Sequence, residues 1–323
     1  MPNLAKVPGQ PIARVLRPGL LTTIQDLGRA GHRRDGVAAG GAMDGYACRA
    51  ANLLAGNPEN SACLEIVLTG LSLEFLRPCT VAITGANLSA QVDGHPAPIW
   101  ASFNLERNTI LSFPHRQWGC RAYLSVCGGF WGKEVLGSRS TDLRNHWGGW
   151  DGRALRTGDI LKIQSSPEDL GRFSARKTNP ELLQTYDNQR SLRVILGPQT
   201  ECFPPEAVRQ FFEERYQIQS DSDRMGYRLQ SSPLKTLIPE IISDPVPPGA
   251  IQVLPSGQLI LLMNDSPTVG GYPKIAVLCR ADLPKAAQLN IGDSIQFQSI
   301  QLEEAHQLLR SQEEGFREGI VGL

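Results

Sequence analysis

Between Ile24 and Asn57 the chain reads IQDLGRAGHRRDGVAAGGAMDGYACRAANLLAGN, and its opening concentrates polar side chains that can do chemistry: Gln25, Asp26, Arg29, Arg33 and Asp35, spaced by Gly28 and Gly31. Such a loop is expensive to bury, because a buried polar group without a partner costs about 1–3 kcal/mol. Its glycines allow positive φ and close approach to a ligand or another strand. Asp44 stands where a helix N-cap is expected, ahead of Ala47, Ala50, Ala51, Leu53 and Leu54, and Gly56-Asn57-Pro58 supplies the stop. A demanding loop feeding a capped helix N-terminus suits an anionic group. It suits equally a bulge and turn packed inside a barrel mouth. On the first reading Gln25, Asp26 and Arg29 position a ligand, while Asp44 caps the helix and organises the loop.

Two further stretches carry chemistry of the same kind. Ser220-Asp221-Ser222-Asp223-Arg224-Met225-Gly226 places acids and an arginine in a turn entering a strand. Asn264-Asp265-Ser266-Pro267-Thr268 with Val269-Gly270-Gly271-Tyr272-Pro273-Lys274 leaves a hydrophobic strand for a polar, glycine-paired loop. Arginine gives bidentate recognition of a carboxylate or phosphate, and lysine a movable point charge. Arg224, together with Arg139 in Gly137-Ser138-Arg139-Ser140-Thr141, is therefore expected to contact an anion. Asp265, Tyr272 and Lys274 are expected to do polar or proton-transfer work. Taken singly, each loop also reads as a solvated hairpin with a surface ion pair. Several of them at strand ends argue for a site.

The elements that would position these residues are mainly β. Short apolar runs at Ile12–Leu16, Cys63–Val67, Leu71–Leu76, Thr80–Ile83, Leu88–Val92, Trp100–Leu105, Ile110–Phe113 and Arg121–Val126 are separated by turn residues, with Asp93-Gly94 a hairpin signal. That spacing predicts barrels or sandwiches and excludes a parallel α/β sheet. Residues 1–165 make a first β domain, the polar stretch 166–189 a linker, and residues 190–323 a second β domain. In the second half, strands are expected at Leu192–Leu196, Ile251–Leu254, Leu259–Met263 and Ile275–Leu278. Helices are expected from Pro204 to Tyr216, over Leu283–Leu289 and over Leu302–Phe316. The halves echo one another, most clearly in Gly158-Asp159-x-Leu-x-Ile and Gly292-Asp293-x-Ile-x-Phe, so a duplicated barrel is expected.

Composition narrows the function classes. Lys plus Arg and Asp plus Glu number 32 each in 323 residues, with no dense basic run, which argues against nucleic acid or an anionic membrane as partner. Seven cysteines form an odd set without C-x-x-C and read as reduced core residues of a cytosolic protein. No metal site is expected, because the five histidines never pair at helical metal spacing. Cys127-Gly128-Gly129-Phe130-Trp131-Gly132-Lys133-Glu134 fails as a phosphate loop, lacking the first glycine and the hydroxyl residue after lysine. No nucleophile elbow, H-E-x-x-H or dinucleotide fingerprint occurs.

In combination, TIQDLGRAGHRRDGVAAGGAMD, AANLLAGN, AITGAN, AYLSVCGG with LGSRST, GPQ, SDRMGYRL, GAIQVLPSGQ and GGYPKIAVL resemble the carboxyltransferase-subdomain family. That family includes the C component of bacterial 5-oxoprolinase, allophanate-hydrolase-related second subunits and the matching region of urea carboxylase. The resemblance runs from about residue 12 to 300. It implies two cyclophilin-like β-barrel domains and a subunit that works with partners, coupling ATP use by the complex to the conversion of 5-oxoproline to glutamate. The first alternative is a biotin-dependent carboxyltransferase acting on urea or a related amide. Its biotin carrier would lie on another protein, since no lysine here sits in a Met-Lys acceptor context. The second is a non-enzymatic regulatory binding subunit. One departure stands out: where the family usually reads Asp-Arg-Gln-Thr before Gly-Gly-Tyr-Pro, this chain has Asp265-Ser266-Pro267-Thr268, which implies altered substrate recognition.

Overall fold

The computed structural model describes residues 9–165, 175–179 and 190–321. They group into two compact units, one of residues 9–28, 45–165 and 175–179, the other of residues 29–44 and 190–321.

The first unit contains β1 (Gln10–Pro18), β2 (Leu21–Gln25), α1 (Gly45–Leu54), β3 (Cys63–Val67), β4 (Leu71–Phe75), β5 (Cys79–Asn87), β6 (Gln91–Val92), β7 (His95–Pro96), β8 (Ala101–Leu105), β9 (Ile110–Ser112), β10 (Trp118–Val126) and β11 (Ile160–Ile163). They form a six-stranded sheet, β11-β1-β4-β9-β6-β7, and a five-stranded sheet, β2-β3-β10-β5-β8. Alternate residues decide which face is inside. Leu64 and Ile66, Leu71, Leu73 and Phe75, Val81 and Ile83, and Ala122, Leu124 and Val126 all enter one core. Each large side chain buried there contributes roughly 1.5–3 kcal/mol. The opposite face of β5 carries Ala82 and Thr84. It is covered by α1, whose Ala47, Ala50 and Ala51 are fully buried and let the backbones approach closely. Thr84 Oγ1 donates to the Ala47 carbonyl at 2.6 Å. Gly85 sits at φ +78°, where an added Cβ would lie 2.4 Å from the Arg121 carbonyl oxygen, and the β5–β10 register shifts between Trp118 and Ala122.

The second unit contains β12 (Ser191–Leu196), α2 (Pro205–Glu213), β13 (Tyr216–Ile218), β14 (Gly226–Gln230), β15 (Asp244–Pro245), β16 (Ala250–Val253), β17 (Leu259–Leu262), β18 (Val269–Gly270), β19 (Lys274–Leu278), α3 (Leu283–Ala287), β20 (Ser294–Ser299) and α4 (Leu302–Val321). Seven strands close a barrel in the order β12-β19-β16-β17-β14-β13-β20, sealed by parallel pairing of β12 with β20. The core includes Leu192, Val194, Ile251, Leu261, Ile275 and Phe297, and Met43 from the 29–44 segment joins it. β15 and β18 form a separate two-stranded ribbon.

The chain is mainly β, as the turn spacing predicts, and the Asp93-Gly94 hairpin forms with both residues at positive φ. Several boundaries differ from expectation. The expected helix through Tyr216 stops at Glu213, because Glu214 is extended (ψ 157°) and buried Tyr216 pairs with Ile295 in the barrel. The expected strand Leu88–Val92 shrinks to Gln91–Val92, because β5 runs on to Asn87 and Ser89 takes a left-handed φ of 54°. β2 forms where no strand is expected from sequence, and the last helix runs on to Val321. Of the expected linker, residues 166–174 and 180–189 lie outside the described residues. Within the rest, Ala175 and Thr178 hydrogen-bond the Ser102 and Trp100 carbonyls, as an annex of the first unit. Gly158 (φ +90°) and Gly292 (φ +85°) each turn the chain into a strand, β11 and β20 respectively. Among the described residues no helix is long and apolar enough to cross a membrane.

Candidate functional site

The residues singled out by sequence divide between the two units. In the first, Asp26 follows β2 and is nearly buried. Its Oδ1 accepts from Ser138 Oγ and Ser140 Oγ, both at 2.6 Å, and from the Gly28 amide at 2.9 Å; its Oδ2 accepts from the Arg139 amide at 2.6 Å. Four donors on one carboxylate make it the pin between the 26–28 turn and the 138–140 loop. Gln25 is fully buried and donates to Thr23 Oγ1 and the Thr141 carbonyl. Its Oε1 is buried without a hydrogen-bond partner among the described residues. Arg139 meets Glu134 at 2.5 Å, with a fifth of its side chain exposed. Nearby, Cys48 and Cys63 lie 3.0 Å apart, and their mutual hydrogen bond, together with burial, holds the Cys48 thiol well above its ordinary pKa. All seven cysteines are buried and free, and burial pushes Cys79 up to about 12.

The second unit gathers more cations. Arg224 ends the turn before β14, where Nε and Nη2 reach the two carboxylate oxygens of Asp265 at 2.9 and 3.1 Å. Nη2 also donates to the Gly41 carbonyl at 2.6 Å. The 29–44 segment is thereby strapped to the barrel. The Gly40 amide donates to the Asn264 carbonyl, Asn264 Nδ2 to the Ala42 carbonyl, and Gln288 Nε2 to Asp44 Oδ2. Gly40 takes φ +62°, and a Cβ there would stand 3.2 Å from Arg29 Nη1 and 3.8 Å from Asp265 Oδ1. The nearly buried Arg29 guanidinium therefore borders the Arg224–Asp265 pair. Asp44 directly precedes α1, the position expected of a cap, and its carboxylate takes the Gln288 bond.

Lys274 opens β19. Its side chain is 3% exposed, and Nζ is paired with Asp244, whose side chain is 41% exposed. Nζ also donates to the Pro245 carbonyl at 3.2 Å. Gln199 braces the pair: its Nε2 donates to Asp244 Oδ2 and its Oε1 accepts from the Lys274 amide, each at 3.2 Å. The hydrogen bond from Lys274 holds the Asp244 carboxyl below its usual pKa. Tyr272 is partly exposed two residues earlier, its carbonyl accepting from Gln252 Nε2.

Asp244-Pro245-Val246 runs from the Lys274 pair to the loop after Pro267, where the Val246 amide donates to the Thr268 carbonyl. Arg33 donates through Nη2 to the carbonyls of Val246 and Pro267, so a guanidinium reaches the Ser266-Pro267 loop from outside it. Burial lowers the Arg33 pKa. Ser266 is fully buried, and its Oγ has no hydrogen-bond partner among the described residues. The structure thus brings Arg29, Asp44, Arg224, Asp265, Tyr272 and Lys274 into the second unit, and Gln25, Asp26 and Arg139 into the first. Sequence reasoning missed Gln199 and Asp244 and gave Arg33 no role. Gln199 was visible only as the last residue of the GPQ match, and the barrel closure shows what it faces. Among the described residues no group of three or more His, Cys, Asp or Glu side chains is placed to hold a metal ion. In the second unit the Lys274 ammonium, braced by Gln199 and paired with a half-exposed carboxylate, is an arrangement able to hold a small anion.

Comparison with known proteins gives consistent matches. Residues 35–299 match the family model described as carboxyltransferase domain, subdomain A and B. The chain is 39% identical to the C component of Escherichia coli 5-oxoprolinase over 308 residues, which covers 94% of this chain and 96% of that protein. It is 33% identical to the urea amidolyase of Saccharomyces cerevisiae over 92% of this chain but only 17% of that protein. Among solved structures, K. lactis urea amidolyase superposes with a TM-score of 0.89 at 31% identity, over 97% of this chain and 20% of that one.

Proposed function

The chain belongs to the carboxyltransferase-domain family, subdomains A and B, and from that premise we propose that it is a subunit of a 5-oxoprolinase-type, ATP-dependent lactam hydrolase. The supporting observation is one of length: the match spans 96% of the E. coli 5-oxoprolinase component but 17% of the yeast urea amidolyase. The proposed substrate is 5-oxoproline and the product glutamate.

An unactivated lactam is a poor electrophile, so its opening needs the carbonyl oxygen activated and the developing negative charge held. ATP, as substrate of the complex, supplies that activation. This chain offers no phosphate loop, so partner subunits take a share of the chemistry. Its own contribution lies in the second unit. Lys274 holds the anionic end of the substrate and Tyr272 gives a hydrogen bond, while Arg224, held by Asp265 and the Gly41 carbonyl at the other end of the β14–β17–β16 ladder, keeps the 29–44 segment in place. Asp26 keeps the first-unit loops in place.

A carboxyltransferase acting on urea or a related amide is the second reading, favoured by the TM-score of 0.89 with K. lactis urea amidolyase. It would need a biotin carrier. The test is reconstitution with the subunits encoded beside this chain, supplied with 5-oxoproline, urea or simple amides. ATP-dependent glutamate formation from 5-oxoproline is expected. Turnover of urea with a biotin carrier, and none of the lactam, would replace the first reading with the second.

A further inference from the structure

We infer that Lys274 and Gln199 form a carboxylate-recognition site that the chain's own Asp244 fills, so that a small-molecule carboxylate binds there by exchanging with Asp244. This rests on the reading of the Lys274 end of the second-unit barrel as the substrate site and adds the chemistry by which it reads its ligand.

The geometry carries the inference. Lys274 Nζ is almost wholly buried, yet its partner Asp244 is 41% exposed, so the ion pair lies at the edge of solvent. A buried ammonium needs a counter-charge, because an unpaired charge there is strongly disfavoured. The counter-charge comes from a short ribbon: β15 is two residues long and pairs with the two residues of β18, flanked by hydrogen bonds from the Ile241 amide to the Gly271 carbonyl and from the Val246 amide to the Thr268 carbonyl, while the Asp244 side chain itself faces solvent. A two-stranded ribbon of that size is marginal and gains little from its own ladder. The other half of the contact is rigid. Lys274 lies on β19, hydrogen-bonded within the closed barrel, and Gln199 is fixed by its Oε1 bond to the Lys274 amide. Gln199 Nε2 and Lys274 Nζ both point at Asp244 Oδ2. One cation and one amide donor converging on a carboxylate oxygen are what a ligand carboxylate needs, and Asp244 shows where it would sit. The exchange keeps charge balanced: one carboxylate leaves Lys274 for water and another takes its place.

Chemical rescue of the missing carboxyl tests this without any turnover. In Asp244→Ala the melting temperature should fall, and acetate should restore it, whereas chloride at equal ionic strength should not. Acetate at about ten times its Kd should raise the melting temperature by about 3 °C. The wild-type chain should respond at least about tenfold more weakly, because its tethered carboxylate competes at high effective concentration. The double variant Asp244→Ala with Lys274→Met should lose the acetate response. Asp244→Ser carries the same expectations should the alanine variant fail to fold. On Asp244→Ala, 5-oxoproline should bind more tightly than on wild type, and 2-pyrrolidinone, which lacks the carboxylate, should not. Equal shifts with acetate and chloride, equal responses in wild type and variant, or no response in either variant would overturn the inference. A clear acetate rescue alongside a reconstituted complex inert toward 5-oxoproline would uphold the site and overturn the proposed reaction.

Discussion

At the scale of single residues, Asp26 and Arg224 are bound into the fold, while Lys274 stands at its edge. Asp26 takes four hydrogen bonds from the loops it joins, so Asp26→Asn should destabilise the chain by about 1.5–3 kcal/mol, read as a lower urea midpoint with an unchanged slope. A ligand-binding aspartate that made no such bonds would leave the midpoint alone. Arg224→Met strands Asp265 and the Gly41 carbonyl together, and should cost roughly 3–5 kcal/mol because the pair is largely buried. Lys274→Met keeps the buried stem and releases Asp244 to water, so its melting temperature should move far less than that of Arg224→Met. Which residues could carry charge was legible in the sequence: Asp26, Arg224, Asp265 and Lys274 all stand in polar, glycine-marked loops. Their partners were not. Asp244 lies 30 residues from Lys274 and Gln199 lies 75 from it, separations that no local spacing rule spans.

At the scale of elements, the strap of residues 29–44 depends on backbone conformations that favour glycine. Gly40→Ala would force a Cβ into a left-handed position 3.2 Å from Arg29 Nη1, and should destabilise the chain by about 1–2 kcal/mol in thermal or urea unfolding. Strand pairs were readable wherever apolar residues alternate between turns, as in β3, β4 and β11. β2 escaped because Thr22, Thr23 and Gln25 are polar and yet buried. Tyr216 likewise continued the apolar face of α2 by sequence, whereas its pairing with Ile295 belongs to the barrel. Ion pairs between elements set the acid limit of the fold. Burial alone would raise the Asp282 pKa, but hydrogen bonds from Arg193 and the charge of Lys285 more than offset it and leave it lowered. Asp159 follows the same pattern with Arg153. A carboxylate with a lowered folded pKa stabilises the fold fully above its unfolded value, near 4, and that stability is lost as pH falls through the folded value. Unfolding free energy should therefore hold steady from neutrality to about pH 5 and fall below about pH 4, and Asp282→Asn should flatten the acid limb. An acid limb unchanged by Asp282→Asn would assign the loss to other carboxylates.

At the scale of the whole molecule, a family member whose match spans 96% of the E. coli 5-oxoprolinase C component is proposed to be one part of a lactam-opening machine. The mainly β character was legible from turn spacing, and the Gly-Asp echoes do open strands, β11 and β20. The grouping of residues 29–44 with the second unit was not, because the hydrogen bonds to Asn264, Arg224 and Gln288 that place them join positions more than 180 apart in sequence. The purified chain alone should show no ATP-dependent opening of 5-oxoproline. The most direct test of the account is the kcat/KM for 5-oxoproline of the reconstituted complex built with wild-type chain or with Lys274→Met. Loss of one charge-assisted contact should lower it about ten- to a hundredfold while the melting temperature stays within about 2 °C. Full activity with Lys274→Met, or full turnover by the single chain without partners, would contradict it.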